Sequence, residues 1–285
     1  MLKIKNIPKN KIILAFSGGV DSVVLLYLLL KENIKNIVLV HVNHNLRGKE
    51  SDGDEEFVRK VAKEKNLELF VKKLKKAPNN EEEGRKERYQ FFQEIREKTK
   101  SKYIALAQHK SDQIETLLLQ LIRGTHSFSP MKEFSEDWKW RPLLNYSKEE
   151  IYEYAKKNKL EWREDLSNKE NNYNRNKIRN IVIPEILKIN SNFPEAFLKF
   201  VEATDENSEY IKKESQIFLV KDVIERKEFL KLENPIQKAV VKFLNPKLYS
   251  KNIVEVIEMI EKGDGGKQKH GFTLEKGKIT ITNDE

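Results

Sequence analysis

Apolar positions along this chain alternate between two kinds of segment. Residues 11–16 form a short, nearly continuous apolar run that stops at Ser17-Gly18-Gly19, and residues 20–30 are apolar on almost every side. A short run ended by glycines and followed by a longer apolar stretch predicts a strand, a tight turn and a buried helix. The alternation continues. Residues 34–42 predict a second buried strand, 51–66 a helix, 67–74 a third strand of alternating character, 80–98 a charged amphipathic helix, 103–107 a fourth strand and 111–122 another helix. Strands that alternate with helices require right-handed crossovers and a parallel sheet covered by helices. The expected fold class is therefore α/β, with a parallel-sheet nucleotide-binding domain followed by a smaller α+β C-terminal domain.

Beyond residue 124 the pattern changes. Residues 125–140 read as a loop with Ser, Pro and scattered aromatics, and Arg141-Pro142-Leu143-Leu144 returns to the core. Ser147-Lys148-Glu149-Glu150 is a capping box that opens a helix through residue 157. Residues 168–180 are Asn-rich and basic, a polar loop turning into a helix; 193–214 form a long amphipathic connector, and 265–282 a glycine-bearing, strand-like tail. The boundary is expected within 190–206, giving a catalytic domain over 1–190 and a connector helix with a small domain over 191–285.

Composition narrows the function classes. The 285 residues fit about two domains at roughly 150 residues each. A formal net charge of +9, from 54 Lys and Arg against 45 Asp and Glu, suits a polyanionic partner such as nucleic acid. The chain has no cysteine, which excludes disulfide scaffolds, thiolate zinc sites, iron–sulfur clusters and sulfur carried on its own thiol. No apolar run approaches the roughly 18 residues of a membrane span, so no membrane partner is expected and the cytoplasm is the expected compartment.

Five segments carry candidate chemistry. Ser17-Gly18-Gly19-Val20-Asp21-Ser22 falls at the first strand–helix junction, where parallel-sheet proteins bind phosphate. Its glycines let the backbone approach an anion, Ser17 and Ser22 can donate, and Asp21 can hold magnesium; a plain capped turn is the alternative. The second strand leads into His41-Val42-Asn43-His44-Asn45-Leu46-Arg47, whose polar side chains would reach adenosine or an RNA backbone if the strand end lines the crevice. Asp112 and Glu115, three apart on a helix, put two carboxylates on one face, close enough to grip one ammonium group; a second capping box is the alternative. Two basic segments complete the set. Arg85 and Arg88 share a helix face beside Tyr89, with a solvated charged helix as the alternative. Arg175 and Arg179 lie among amides, a composition suited to phosphate and base-edge contact.

The loop Ser17–Ser22 resembles the SGGxDS pyrophosphate loop of the ATP-pyrophosphatase superfamily, whose members cleave ATP to AMP and pyrophosphate. The absence of cysteine disfavours its tRNA-thiolating branch and favours an amine nucleophile. Taken in order, that loop, residues 41–47, 83–89, Asp112–Thr116 with Arg123-Gly124-Thr125, Arg141-Pro142-Leu143, Asp165-Leu166-Ser167-Asn168 and residues 175–179 are similar to the tRNA(Ile)-lysidine synthetase family, over about residues 11–184. The resemblance implies an adenine-nucleotide-hydrolase-like fold and a two-step reaction. ATP adenylates the carbonyl oxygen of the wobble cytidine in a CAU-anticodon isoleucine tRNA, and the lysine amine then displaces AMP to give lysidine. It implies ATP and Mg2+ at Ser17, Gly18, Gly19, Val20, Asp21, Ser22 and Asn43, with the metal on Asp21. It implies lysine at Asp112 and Glu115; Asp21, Asp112, Glu115 and Arg85 in catalysis; and tRNA on Arg47, Arg88, Arg141, Arg175 and Arg179. The partners it implies are tRNA and L-lysine, with a homodimer as the candidate assembly. Two other classes remain open: an adenylating amide synthetase for a small molecule, and a nucleotide-gated RNA-binding protein without turnover.

Overall fold

The structure is a computed structural model that describes the chain except residues 1, 46–48, 75–76, 79, 125–127, 136, 165–173, 220–222, 246–247, 264–265 and 282–285, and except a few side chains within helices. It divides into two compact units, Met1–Lys199 and Phe200–Glu285.

In the first unit, strands β1 (Ile12–Ala15), β2 (Ile37–Asn43), β3 (Glu68–Lys73), β4 (Tyr103–Ala105) and β5 (Lys139–Trp140) form one sheet in the order β3-β2-β1-β4-β5. Every pairing is parallel. Helices α1 (Val20–Lys31), α2 (Lys49–Glu64), α3 (Glu81–Thr99), α4 (Lys110–Ile122) and α5 (Lys148–Lys157) connect or follow the strands. The period of two along each strand sorts the core into two layers. Ile12, Leu14, Ile37, Leu39 and Ala105 pack with α1 and with Ile151, Tyr154 and Ala155 of α5. Ile13, Val38, Val40 and Ile104 pack with Phe91, Phe92 and Ile95 of α3. Burial on both faces explains why β1 and β2 read as continuous apolar runs rather than as alternating ones.

One expectation is corrected. Residues 125–140 are not loop throughout, because Lys139 and Trp140 add a fifth strand beside β4. Two residues are too few to show any period, but Trp140 is fully buried and stacks on Phe134 at 6.0 Å, which fixes the strand from within the core.

The strand order decides where a ligand can bind. From β1 the chain winds outward through β2 and β3, then returns to the other side of β1 for β4 and β5. Loops that leave β1 and β4 in opposite senses open a crevice at the carboxyl ends of the strands, the topological switch point of open parallel sheets.

After α5 the first unit continues with α6 (Asn174–Lys177), a π-helical turn (Ile178–Val182) and α7 (Ile183–Ile189). Helix α8 (Phe193–Leu219) contains the division between the units. The second unit holds β6 (Ile224–Glu225), α9 (Arg226–Phe229), α10 (Asn234–Leu244), α11 (Ser250–Glu261), β7 (Lys267–Lys269), β8 (Phe272–Glu275) and β9 (Lys278–Ile281). Its antiparallel sheet, in the order β6-β9-β8-β7, buries Ile224, Phe272, Leu274 and Ile279 against Val240, Val256 and Ile260. Among the described residues no helix is long and apolar enough to cross a membrane.

Candidate nucleotide and cation site

At the end of β1 the chain winds around its own hydroxyls. Ser22 Oγ accepts from the Gly18 N–H at 3.1 Å and donates to the Gly19 carbonyl at 2.9 Å, while Ser17 Oγ accepts from the Gly19 N–H at 3.3 Å. Gly18 has φ +86°, and a Cβ there would lie 3.1 Å from the Phe57 ring. That position therefore requires glycine twice over, for its backbone and for its space. The N–H groups of the first turn of α1 have no carbonyl of their own helix, so the loop presents donors and a positive helix end to an anion.

This loop lines a cavity of about 390 Å³, within the roughly 300–1,000 Å³ usual for ligand pockets. Ser17, Asp21, His41, Asn43, Gln108 and Asp112 are among its walls, and Arg85, Arg88, Tyr89 and Arg175 also reach it. The cavity thus draws on the ends of β1, β2 and β4. The Arg85 guanidinium lies over the Tyr89 ring at 4.9 Å, so α3 presents a stacked cation to the cavity rather than only a solvated charged face.

On β2, His41 donates from Nδ1 to the Phe16 carbonyl, 3.0 Å away. A carbonyl can only accept, so Nδ1 carries the proton and Nε2 is left as a buried acceptor without a partner. Burial pushes the His41 pKa down. His44 is lowered to about 4, through burial first and then the nearby Arg88 charge. The His44 ring is neutral at pH 7. Asn43 lines the cavity and is also bonded within the protein: its amide nitrogen donates to Ser51 O, Asp52 Oδ1 and Glu55 Oε2 at 3.0–3.2 Å and its oxygen accepts from Asn45 N–H. It ties β2 to α2 at the cavity wall. Arg47 and the Asp165-Leu166-Ser167-Asn168 motif lie outside the described residues.

The acidic pair grips cations, and Asp112 is also the N3 carboxylate of a capping box whose N-cap is His109. Asp112 is the third residue of α4 and accepts from the backbone N–H of the N-cap residue His109 at 3.0 Å. Glu115, one turn on, is 1% exposed. Its carboxylate takes Arg175 Nε at 2.9 Å, Arg179 Nε at 2.6 Å and Arg179 Nη2 at 2.9 Å. Arg179 Nη2 also reaches Asp112 Oδ1 at 3.4 Å, so one nitrogen spans both acids. The two arginines expected to face tRNA therefore point at the acidic pair in this structure. Burial opposes the Arg179 charge, yet Glu115 and the neighbouring acids outweigh it and raise its pKa.

Arg141, also expected at tRNA, is 6% exposed. It donates from Nε to Gln108 Oε1 at 2.7 Å and from Nη1 to the Lys132 carbonyl at 2.9 Å. Its guanidinium braces the chain before β5 against the end of β4.

Sequence reasoning missed three residues here. Lys148, the first residue of α5, places Nζ 2.7 and 2.6 Å from the two Asp21 oxygens. His109 lies with Nε2 3.8 Å from Asp21 and 3.5 Å from Asp112, between the loop and the acidic pair. Arg163 donates its backbone N–H to the Gly18 carbonyl at 2.9 Å and its Nε to Asp54 at 3.1 Å, backing the loop from behind. Lys148 carried one signal, since a cation at the first helical position opposes the helix dipole; His109 and Arg163 carried none.

A glycine-wound anion loop at the switch point of a parallel sheet defines a nucleotide-binding α/β protein. A family model for the PP-loop domain, an ATP-binding family, matches residues 1–186, and the chain belongs to that family. It is similar to the tRNA(Ile)-lysidine synthase of Persephonella marina, 34% identical over 277 residues, covering 90% of this chain and 61% of that protein. It is also similar to that of Clostridium acetobutylicum, 32% identical over 287 residues, 91% of this chain and 62% of that one. The chain thus spans about three-fifths of the length of these relatives. Among solved structures, the U34-tRNA thiolase of Methanococcus maripaludis, which carries a [4Fe-4S] cluster, matches with a TM-score of 0.54 at 17% identity, over 68% of this chain and 71% of that one, a likeness of fold.

Proposed function

We propose that this chain ligates lysine to the wobble cytidine of a CAU-anticodon isoleucine tRNA, using ATP. The observation that carries the reading is the meeting of the Ser17–Ser22 anion loop, the Asp112–Glu115 cation grip and the cations of α3 around one cavity. An anion loop and an acidic grip side by side suit two co-substrates of opposite charge, a nucleotide and an amine. The lysidine synthase relatives, similar over nine-tenths of this chain, favour the same pair.

In this reading the loop holds the ATP phosphates, and the His41 Nε2 acceptor faces a nucleobase edge. Mg2+ fits Asp21. Such an ion takes one or two carboxylates and completes its shell with phosphates and water, and both Asp21 oxygens already converge on one positive group. Among the described residues no cluster of three or more acidic or histidine ligands competes for that role. The bound ion would neutralise phosphate charge as pyrophosphate leaves.

Adenylation of the cytosine oxygen turns a poor leaving group into AMP, and holding both substrates gives the amine a high effective concentration. The lysine ammonium, with an unperturbed pKa of about 10.4, must lose a proton before it attacks. Asp112 and Glu115 recognise that ammonium, which displaces Arg179 from its bridging position. Arg85 and Arg88 meet the tRNA or the activated base. The compartment in this reading is the cytoplasm, and light scattering of the purified protein decides between a single copy and a homodimer.

The test is incubation with ATP, Mg2+, total tRNA and labelled lysine, followed by mild alkali that strips aminoacyl esters. Alkali-stable label in RNA, with AMP and pyrophosphate released, is expected. ATP cleavage that ignores tRNA would move the assignment to a small-molecule synthetase, and RNA binding without cleavage would leave a binding protein.

A further inference from the structure

The anion loop has a deficit. Ser17-Gly18-Gly19-Val20-Asp21-Ser22 contains no lysine or arginine and carries one negative charge, so it offers a polyphosphate dipoles and hydroxyls but no cation of its own. The Walker-type loop answers the same demand with a lysine that reaches the β- and γ-phosphates.

Lys148 stands where such a cation is needed. Its ammonium chelates both oxygens of Asp21, 127 residues away in sequence, on the first turn of the helix that the loop opens. Its position is costly on local grounds. The first turn of a helix favours anions, and Glu149 and Glu150 follow that rule while Lys148 breaks it. The Tyr152 ring 5.0 Å below Nζ steadies the ammonium from the side of its own helix. Arg85, Arg88 and Arg175 also reach the cavity, but Arg85 and Arg88 come from α3, Arg85 stacked on Tyr89, and Arg175 Nε is committed to Glu115.

We infer that Lys148 is the phosphate-binding cation of this nucleotide site, parked on Asp21 in the ligand-free chain and transferred to the nucleotide phosphates when the divalent ion takes Asp21. Electrostatics favours the exchange in one direction. A carboxylate that gains a divalent ion has less need of an ammonium, and the incoming polyphosphate supplies new acceptors within reach of the flexible lysine stem. The inference rests on the nucleotide reading above.

Equilibrium binding without tRNA or lysine tests it. With Mg2+ present, Lys148→Gln should weaken ATP at least about tenfold, the scale of one charge-assisted hydrogen bond. Adenosine binding, followed by ligand-observed NMR, should be unchanged, and Lys148→Arg should recover most of the ATP affinity. In an Asp21→Asn background, Lys148→Gln should still weaken ATP, because the lysine contacts phosphate and does more than neutralise Asp21. Unchanged ATP affinity, an equal loss for adenosine, or no further loss in the Asp21→Asn background would each overturn the inference. Failure of the unaltered protein to bind ATP would overturn the nucleotide reading itself, whereas ATP binding indifferent to Lys148 would overturn only this assignment.

Discussion

Glu115 shows how one buried carboxylate organises this site. At 1% exposure it is tolerable as an anion because two guanidiniums supply three short hydrogen bonds to it. Glu115→Gln keeps the shape but removes the charge, leaving Arg175 and Arg179 without their main counter-ion. It should lower unfolding free energy by about 2–3 kcal/mol, read by urea denaturation, and abolish lysine transfer. A loss below about 0.5 kcal/mol would show that the arginines find other partners at no cost. His44 makes a second residue-scale prediction. Its folded pKa, about 4, lies below the ordinary 6.5, so between those values the unfolded chain binds a proton that the folded one refuses. Stability from this residue is present above pH 6.5 and is lost as pH falls toward 4. Thermal melts from pH 7 to 4.5 should fall less steeply for His44→Gln than for the unaltered chain; parallel curves would contradict the assignment.

Among the elements, the phosphate loop is the most sharply specified. Gly18 and Gly19 are adjacent and chemically identical, yet they tolerate substitution differently. Gly18 sits at φ +86° with the Phe57 ring 3.1 Å from where a Cβ would go, whereas Gly19 has φ −71° and its Cβ would meet Ser17 Oγ at 3.4 Å. Gly18→Ala should cost about 1–2 kcal/mol and displace the loop enough to abolish ATP binding, while Gly19→Ala should cost less than half of that. Equal losses in denaturation and calorimetry would contradict the loop geometry. The π-helical turn at Ile178–Val182 is the other informative element. It directly follows the short helix of Arg175, and Arg179 within it reaches the same carboxylate as Arg175. Such turns recur at functional sites.

For the whole molecule, charge sets the expectation. On the proposed function, a chain with net charge +9 that meets tRNA phosphates with basic side chains should release counter-ions on binding. The logarithm of its tRNA affinity should fall linearly and steeply with the logarithm of salt concentration, measured by filter binding between about 50 and 200 mM. A flat response would remove the basic side chains from the RNA interface.

Much of this was legible in the residues themselves. The alternation of apolar strands and helices, the hydroxyl-and-glycine loop and the capping box at Ser147 are local patterns, each governed by residues within a few positions of one another, and the structure reproduces all three. Local physics suffices there, because helix period, strand burial and cap geometry depend on near neighbours. The sequence likewise determined that Asp112 and Glu115 share a face, since three residues on a helix leave no other choice. Tertiary structure alone decided what that face grips and what holds Asp21. Arg179 arrives from 64 residues away and Lys148 from 127. A charged side chain is compatible with many partners, and no spacing records which one the fold will bring; the strand order does, by gathering the ends of β1, β2 and β4 at one crevice. The same reason hid β5, whose two residues carry no period and are held in place by a tryptophan that only the assembled core surrounds.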